Sequence, residues 1–386
     1  MNTNQFRTKT ISKAKKNPTV SGKWGIAIDV GYSAVKVMSP NGYFSFPSVA
    51  VKVPFGTADS TIGKLQNSSI AFRDQEGNEY LVGEDAAKEL KGNDSASSIL
   101  YTRDRYNHDE FLVVSQVGLG LGAMENQHGT PKKCSYYVMT GLPPEYMVED
   151  EHIIRDVFTG THKFSLKIGN KAEWIDFEIK LEANNIKVMA QPMGSLVSIS
   201  TDVNGGIIDK AKEYFASNVL IFDPGFGTLD TFEIRNHRLG SNKTWANLGM
   251  RRVLQETVDE LKKNNMVNTT VSALEVDLDK GYVVSTDKRT HTSKKQDFAD
   301  ILEKANKKIC EEALNAIDSC YDYLSSYDYL VIAGGTGAAW EKYIRERYKA
   351  METLTIINAN VNDSNMDSIF SNVRGYYMSL LSEIKR

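Results

Sequence analysis

Two stretches of the chain begin with an apolar run typical of a β-strand, stop at an aspartate and glycines, and continue with apolar residues at alternate positions. The first is WGIAIDVGYSAVKVM at residues 24–38, and the second is IFDPGFGTLDTFEI at residues 221–234. Because side chains alternate between the two faces of a strand, each stretch predicts two strands joined by a tight turn. Glycine weakens a strand interior, so each turn is either a bulged hairpin or a place that a ligand approaches closely.

A third apolar run, YLVIAGGTGAAW at residues 329–340, ends in glycines that precede a helical pattern. A Gly-rich turn between a strand and a helix lets a nucleotide approach the backbone at the positive end of the helix dipole. The turn lacks the GxGxxG spacing of dinucleotide-binding folds and the GK[ST] ending of a P-loop. Those two nucleotide-binding folds are therefore disfavoured.

Three further segments predict helices. The run from Phe111 to Met124 is apolar but shorter than the ~20 residues that span a bilayer, so it predicts a buried helix. Apolar residues recur every three or four positions from Phe298 to Leu324, which is typical of a packed helix. The segment 247–263 predicts a helix that begins after Gly249. Strands and helices together predict an α/β fold.

Composition narrows the class of protein. A chain of 386 residues with 41% hydrophobic and 25% charged residues is typical of a soluble protein of two or three domains. A net charge of −3 gives no sign of binding to nucleic acid or to a membrane through the whole surface. Three cysteines without CxxC spacing predict neither a disulfide framework nor a thiolate metal site, which favours a cytoplasmic location.

The first 21 residues are polar and basic and lack an apolar segment, so they do not form a secretory signal. We expect residues 1–21 to be a disordered tail. An alternative is that the tail is an electrostatic arm for an acidic partner or for nucleic acid.

The two Asp-Gly turns have the chemistry of a phosphate site. Backbone amides exposed at a Gly-rich turn make an anion site, and a carboxylate at its edge suits a phosphate-bound cation. Asp29 and Asp223 stand at equivalent places in the two turns, which indicates two similar domains that face one ligand. Lys36 begins the strand after the first turn and can place an ammonium on the phosphates, although taken alone it is more typical of a solvated strand lysine.

The order DVGYSAVK, VMAQPMGSL, DPGFGTLD and IAGGTG resembles the phosphate 1, connect 1, phosphate 2 and adenosine motifs of the actin, Hsp70 and sugar-kinase superfamily. Four further stretches resemble bacterial and archaeal actin-like proteins, especially plasmid-segregation actins of the ParM type. These are FPSVAVKVPFG (46–56), EYLVGEDAAKEL (79–90), VMTGLPPEYM (138–147) and NVRGYYMSLL (372–381). The resemblance runs from about Trp24 to the C-terminus.

The resemblance implies a role for each matching position. Asp29 and Asp223 match the aspartates that hold Mg²⁺ through its waters, and Gln191 stands where actins orient the water that attacks the γ-phosphorus. A plainer interpretation is that Gln191 caps the helix that follows Pro192. Asp230 is a candidate for the metal shell or for support of the loop. The implied nucleotide-binding residues are Gly31, Tyr32, Ser33, Lys36, Gly225, Phe226, Gly227, Thr228, Gly334, Gly335 and Thr336.

The resemblance also implies an actin-like ATPase fold, with two similar RNase H-like domains around a nucleotide cleft. Domain I is expected at residues 22–190, with a small subdomain inserted at 46–91 and a C-terminal return at 361–386; domain II is expected at 191–360. Pro224 departs from the family pattern and removes one backbone donor. The segment 272–281 lies about where adenine contacts are expected, but no residue in it stands out.

The implied function is a Mg²⁺-dependent ATPase, or a GTPase, whose filaments assemble and disassemble with the nucleotide cycle. Such a filament moves plasmid DNA through a DNA-binding adaptor of the ParR type, without direct contact between the filament and nucleic acid or a membrane. The alternative is a non-polymerising ATPase or small-molecule kinase of the same superfamily. A neutral amide such as Gln191 is a poor proton acceptor, so we expect slow turnover, which suits a switch or filament timer.

Overall fold

A computed structural model describes residues 2–59, 68–91, 103–169, 173–287 and 289–385. The strands are β1 Ile11–Ala14, β2 Lys23–Val30, β3 Ala34–Ser39, β4 Gly42–Pro47, β5 Ala50–Val53, β6 Ile70–Asp74, β7 Glu79–Val82, β8 Ser135–Leu142, β9 Gly160–Ile168, β10 Ile175–Leu181, β11 Ile186–Ala190, β12 Val219–Pro224, β13 Thr228–Arg235, β14 Arg238–Ala246, β15 Tyr282–Asp287, β16 Thr292–Asp297, β17 Tyr329–Ile332 and β18 Thr355–Asn358. The helices are α1 Glu84–Glu89, α2 Asp109–Ala123, α3 Met147–Phe158, α4 Gln191–Ser200, α5 Lys210–Ala216, α6 Met250–Lys263, α7 Val271–Asp277, α8 Ala299–Cys320, α9 Gly334–Tyr348 and α10 Ser371–Ile384.

The two predicted hairpins are confirmed, and each lies in the middle of its own sheet. β2 pairs with β3 and β12 pairs with β13, both antiparallel. The first sheet has the order β1-β4-β3-β2-β8-β11 and the second has the order β14-β13-β12-β17-β18. From β4 onward the two orders are equivalent, with three antiparallel strands followed by two parallel ones. The α/β unit is therefore built twice, as the repeated pattern predicted.

The small subdomain draws on two separate parts of the chain. Its sheet has the order β10-β9-β6-β7-β5. Strands β9 and β10 belong to this sheet, although they lie outside the residues 46–91 predicted for the subdomain. The confined boundary is wrong, because β6 pairs with the distant β9 as well as with β7. Residues 60–67 of the inserted region lie outside the described residues. The other domain boundaries stay predictions.

The three predicted helices are confirmed. Residues 111–123 of the apolar run lie within α2, most of whose residues are buried, and Met124 caps its C-terminal end. Gly249 caps α6, as expected, and the periodic segment 298–324 contains α8, whose apolar face packs into the core beside the second sheet. No helix among the described residues is both long enough and apolar enough to cross a bilayer.

Helices α4 and α10 cross beneath the two hairpins with their backbones in contact. A Cβ on Gly375 of α10 would lie 1.7 Å from the carbonyl oxygen of Gly194 in α4. The crossing therefore requires glycine at this point, because real Cβ atoms do not approach closer than about 3 Å. Helix α10 packs on the first sheet, where Leu380 lies against Gly25 of β2. The end of the chain thus returns to the first sheet.

The N-terminal segment is folded, so the prediction of a disordered tail at residues 1–21 is wrong for the part that the structure describes. Residues Thr3–Phe6 form a 3₁₀ turn, and Phe6 is 9% exposed within the core beside the second sheet. Strand β1 pairs with β4 at the edge of the first sheet. The sequence did not show this because the segment has too few apolar residues to make a core of its own, and only the finished sheets offer it partners.

Candidate nucleotide-binding site

The two predicted carboxylates lie at the ends of equivalent strands. Asp29 and Asp223 are the penultimate residues of β2 and β12, and they are 2% and 6% exposed. The turns that follow them face each other, since a Cβ on Gly227 would lie 3.1 Å from the ring of Tyr32. Aspartates are rarely buried this deeply unless they are paired or bind a cation.

Asp29 is paired with two of the predicted side chains. Lys36 stands opposite Asp29 across the hairpin, and its Nζ donates to Asp29 Oδ2 at 2.9 Å. Gln191 Nε2 donates to Asp29 Oδ1 at 3.3 Å. Lys36 is thus a partly buried ion-pair partner instead of a solvated strand lysine. Ala190 is the cap of α4, and Gln191 reaches Asp29 instead of capping that helix.

Asp223 has a partner that the sequence analysis did not identify. Asn372 Nδ2 donates to Asp223 Oδ2 at 2.6 Å, and Ser195 Oγ donates to Asn372 Oδ1 at 2.6 Å. This short chain of hydrogen bonds links the second turn to α4 and α10. Asn372 begins one of the stretches that carry the family resemblance, which was the available signal, but its position alone did not indicate a role.

Burial raises the pKa of Asp223 to about 6, and the negative charge of Asp29 adds to this effect. The hydrogen bond from Asn372 and the charge of Lys36 act in the opposite direction without cancelling the burial. The surroundings of Asp223 therefore leave an imbalance that disfavours the negative charge of its carboxylate. A divalent cation would relieve this imbalance.

The residues present fit Mg²⁺ bound through a nucleotide. Mg²⁺ usually keeps several waters and is held by one or two carboxylates together with substrate phosphates, and Asp29 and Asp223 provide two carboxylates. Within the described parts of the chain there is no group of three or more His, Cys, Asp or Glu side chains that could hold a metal by itself. A Mg²⁺ ion held by Asp29 and Asp223 would take its remaining ligands from waters and phosphate oxygens.

The second turn is supported by Asp230, which stands opposite Asp223 in the hairpin. Thr228 Oγ1 donates to Asp230 Oδ2 at 2.9 Å, and Thr244 Oγ1 donates to Asp230 Oδ1 at 2.6 Å. Burial raises the pKa of Asp230 to about 7, with a further contribution from Asp223. Both oxygens of Asp230 accept from threonine hydroxyls, one on β13 and one on β14, so of its two candidate roles the geometry favours support of the loop.

Some predicted phosphate donors are used within the hairpins. Gly31 N donates to Ala34 O at 3.0 Å, and Gly225 N donates to Thr228 O at 2.7 Å. These two amides close their turns. The Gly31 and Gly225 amides therefore shape the turns, and a bound anion would have to accept hydrogen bonds from other groups.

The glycine turn before α9 lies directly against the second hairpin. Gly334 has φ +70°, which favours glycine, and a Cβ there would lie 3.0 Å from Asp223 Oδ1. Thr336 Oγ1 donates to Gly225 O at 2.9 Å and ties the two turns together. Gly335 lies between Gly334 and Thr336 in the first turn of α9. The predicted adenosine motif and the second Asp-Gly turn thus form one wall.

A cavity of about 860 Å³ opens between the two halves of the molecule, and we call it the cleft cavity. This volume lies within the ~300–1,000 Å³ that is typical of small-molecule sites. Eight predicted site residues line it, namely Ser33, Lys36, Asp223, Gly225, Phe226, Gly334, Gly335 and Thr336. The other six, Asp29, Gly31, Tyr32, Gln191, Gly227 and Thr228, are not part of its lining.

The wall of the cleft cavity beyond the glycine turn comes from α8 and α9. Glu303, Asn306 and Lys342 line it, and Glu303 accepts from Lys342 and from Tyr343 OH. From the sequence, adenine contacts are instead expected at segment 272–281. That segment lines a separate cavity of about 320 Å³ and takes no part in the cleft cavity. Residues on two helices distant in sequence could not be grouped without the fold.

Comparison with known proteins agrees with this geometry. Residues 27–194 match the family model for the N-terminal domain of actin like proteins. None of the curated proteins matches the sequence significantly. Among solved structures, a non-polymerisable quadruple mutant of pCBH ParM is 21% identical with a TM-score of 0.69, and covers 94% of this chain and 99% of its own.

Two other ParM structures are similar over the same extent. A 15-stranded ParM filament from Clostridium botulinum is 21% identical, with a TM-score of 0.67 and coverage of 94% of this chain and 99% of that chain. Bacillus thuringiensis ParM with AMPPNP is 16% identical, with a TM-score of 0.57 and coverage of 94% and 100%. The chain therefore has the actin-like ATPase fold. The predicted resemblance to bacterial and archaeal actin-like proteins is confirmed by the family model that matches residues 27–194 and by these structures of similar fold.

Proposed function

We propose that the protein is a nucleotide-dependent ATPase that assembles into filaments and segregates plasmid DNA through a DNA-binding adaptor of the ParR type. One observation carries the proposal. Two buried carboxylates, Asp29 and Asp223, come from matching turns of two similar units and stand beside a cavity large enough for a nucleotide. ATP is the expected ligand, with GTP as the other candidate, and the protein is expected to act in the cytoplasm.

Phosphoanhydride hydrolysis depends mainly on positioning and charge neutralisation, which the chain's residues can provide. Lys36 brings a cation to the side of the cleft cavity where the two turns meet. Gln191 stands beside Asp29, where its amide can orient a water without accepting a proton. Asp29 and Asp223 are the residues that would hold Mg²⁺, which would neutralise phosphate charge when bound. We expect slow turnover because the Gln191 amide is a poor proton acceptor.

The place of the cavity between two lobes supports the proposal that nucleotide controls filament assembly. A ligand that binds both lobes favours the closed arrangement, and closure changes the surfaces at which subunits meet. The crossing of α4 and α10 connects these lobes, and the Ser195–Asn372–Asp223 hydrogen bonds bring the site into contact with it. The Clostridium botulinum ParM of similar fold forms a filament, and Bacillus thuringiensis ParM has been solved with AMPPNP, which supports the proposal.

Light scattering and electron microscopy of the purified protein test the proposal, with Mg-ATP, Mg-GTP, a non-hydrolysed analogue and Mg-ADP added separately. We expect filaments with the triphosphate that shorten as phosphate is released. Gln191→Ala filaments should persist, while Asp223→Ala should fail to assemble. Nucleotide binding without polymer at any salt or protein concentration would leave a non-polymerising ATPase or small-molecule kinase of the same fold. Loss of adaptor-dependent plasmid retention in Asp223→Ala cells tests the segregation step.

A further inference from the structure

Residues 3–10 run from one lobe of the molecule to the other, and we call them the strap. At its first end, Thr3 Oγ1 donates to Leu278 O at 2.6 Å, and Phe6 is buried in the core beside the second sheet. At its other end, Arg7 forms an ion pair with Glu84 at the start of α1, in the small subdomain. The strap is therefore attached to both sides of the cleft.

The attachment to the small subdomain uses both oxygens of one carboxylate. Glu84 Oε2 accepts from Arg7, and Glu84 Oε1 accepts from the backbone amide of Thr10 at 2.8 Å. The Glu84 side chain is only 10% exposed, so water screens this ion pair less than one on an open surface. Immediately afterwards β1 pairs with β4 and fixes the chain to the first sheet.

Between these attachments the strap forms a wall of the cleft cavity. Residues 5–9 line it together with Asp223, Lys36 and the glycine turn. Arg7 and Thr8 also line the separate cavity of about 320 Å³ on the other side, so the strap divides the two spaces. The cleft cavity still measures about 860 Å³ with the strap in place, which leaves room for a ligand. The strap is therefore a wall and not a plug.

We propose that the strap retains nucleotide in the cleft and limits its exchange. The inference rests on the proposed function, because it takes the ligand of the cleft cavity to be a nucleotide. Opening the cleft separates Leu278 from Glu84, and a segment of only eight residues anchored on both lobes must then release one anchor. Release of Phe6 exposes a buried aromatic side chain to water, which is unfavourable and therefore slows opening. Nucleotide dissociation is then governed by detachment of the strap.

The test measures dissociation of N-methylanthraniloyl-ADP with Mg²⁺ by stopped-flow chase with unlabelled ADP, at protein concentrations below assembly. Phe6→Ala should release the nucleotide at least about tenfold faster, because it removes a buried aromatic anchor. Glu84→Gln should release it about threefold faster, since it weakens a partly exposed ion pair while keeping the shape of the side chain. The same measurement is repeated with the guanine analogue.

The matched controls are Phe215→Ala, which removes a half-exposed phenylalanine of α5, and Glu89→Gln, an exposed glutamate of the helix that holds Glu84. Both should release nucleotide at the rate of the unchanged protein. Circular dichroism and thermal unfolding show whether Phe6→Ala is folded. If Phe6→Ala is not folded, the release rate of Glu84→Gln alone tests the strap inference.

The outcomes distinguish failure of the strap inference from failure of the proposed function. Binding by the unchanged protein with equal release rates in Phe6→Ala and Glu84→Gln overturns the strap inference and leaves the proposed function intact. Binding by Phe6→Ala but not by the unchanged protein also overturns it, because the strap is then a plug. Absence of binding in every form refutes the proposed function, and with it the retention of nucleotide.

Discussion

Replacing Asp223 by asparagine should make the ligand-free protein more stable at neutral and alkaline pH, although it removes a proposed magnesium ligand. Burial raises the pKa of Asp223 from an ordinary 3.8 to about 6. The folded state therefore binds a proton more tightly than the unfolded state. Above pH 6 the carboxylate is charged in both states, and the folded protein bears the cost of burying that charge.

The magnitude follows from the two pKa values, 3.8 and about 6. At ~1.4 kcal/mol per pKa unit, the ionised carboxylate lowers the free energy of unfolding by about 3 kcal/mol at pH 8. Because the folded-state pKa is the higher one, proton binding by Asp223 stabilises the folded state. This stabilisation is fully present below pH 3.8 and is lost as the pH rises to about 6. Asparagine cannot ionise, so Asp223→Asn should avoid the loss.

Urea unfolding of the nucleotide-free protein at pH 4 and pH 8 measures this effect. We expect Asp223→Asn to exceed the unchanged protein by about 3 kcal/mol at pH 8 and by less than 1 kcal/mol at pH 4. Asp156→Asn, the same change at an exposed position on α3, should alter the free energy of unfolding by less than about 0.5 kcal/mol at either pH. Equal stability of Asp223→Asn and the unchanged protein at pH 8 would refute the assignment of an uncompensated buried charge.

Two further predictions concern hydrolysis and the helix crossing. Gln191→Ala should bind nucleotide normally but release phosphate about 10²-fold more slowly, because the attacking water loses its orienting amide. The control Gln127→Ala, at an exposed position, should release phosphate at the rate of the unchanged protein. Equal rates of phosphate release in Gln191→Ala and the unchanged protein would show that Gln191 has no part in hydrolysis. Gly375→Ala should lower the free energy of unfolding by about 3 kcal/mol or more, because its Cβ would lie 1.7 Å from Gly194 O. The control Ser382→Ala, on the exposed face of α10, should have little effect on the free energy of unfolding. Urea unfolding measures both helix variants, and a loss below 1 kcal/mol in Gly375→Ala would show that the helices can separate freely.

Some residues of the site could be predicted from their neighbours in the chain, and others were brought to it only by tertiary contacts. Asp29, Lys36 and the turn between them belong to one hairpin, so their proximity follows from strand geometry alone. Asp223 and Asp230 likewise follow from the second hairpin. Gln191 was placed at the site only through the family resemblance, since 162 positions separate it from Asp29. Asn372 was missed because nothing near it in the chain indicates that it contacts Asp223.

The sequence by itself therefore determined the two hairpins, the glycine turn before α9, the buried helices and the repeated α/β unit, because each rests on a period of two or of three to four residues that neighbouring residues impose. Only the tertiary structure decided that β9 joins β6, that Asn372 reaches Asp223, and that the basic N-terminal segment is anchored across the cleft by Phe6 and Glu84. These contacts join residues far apart in the chain. Their free energy comes from surfaces that exist only after the sheets have formed, so no local pattern records them.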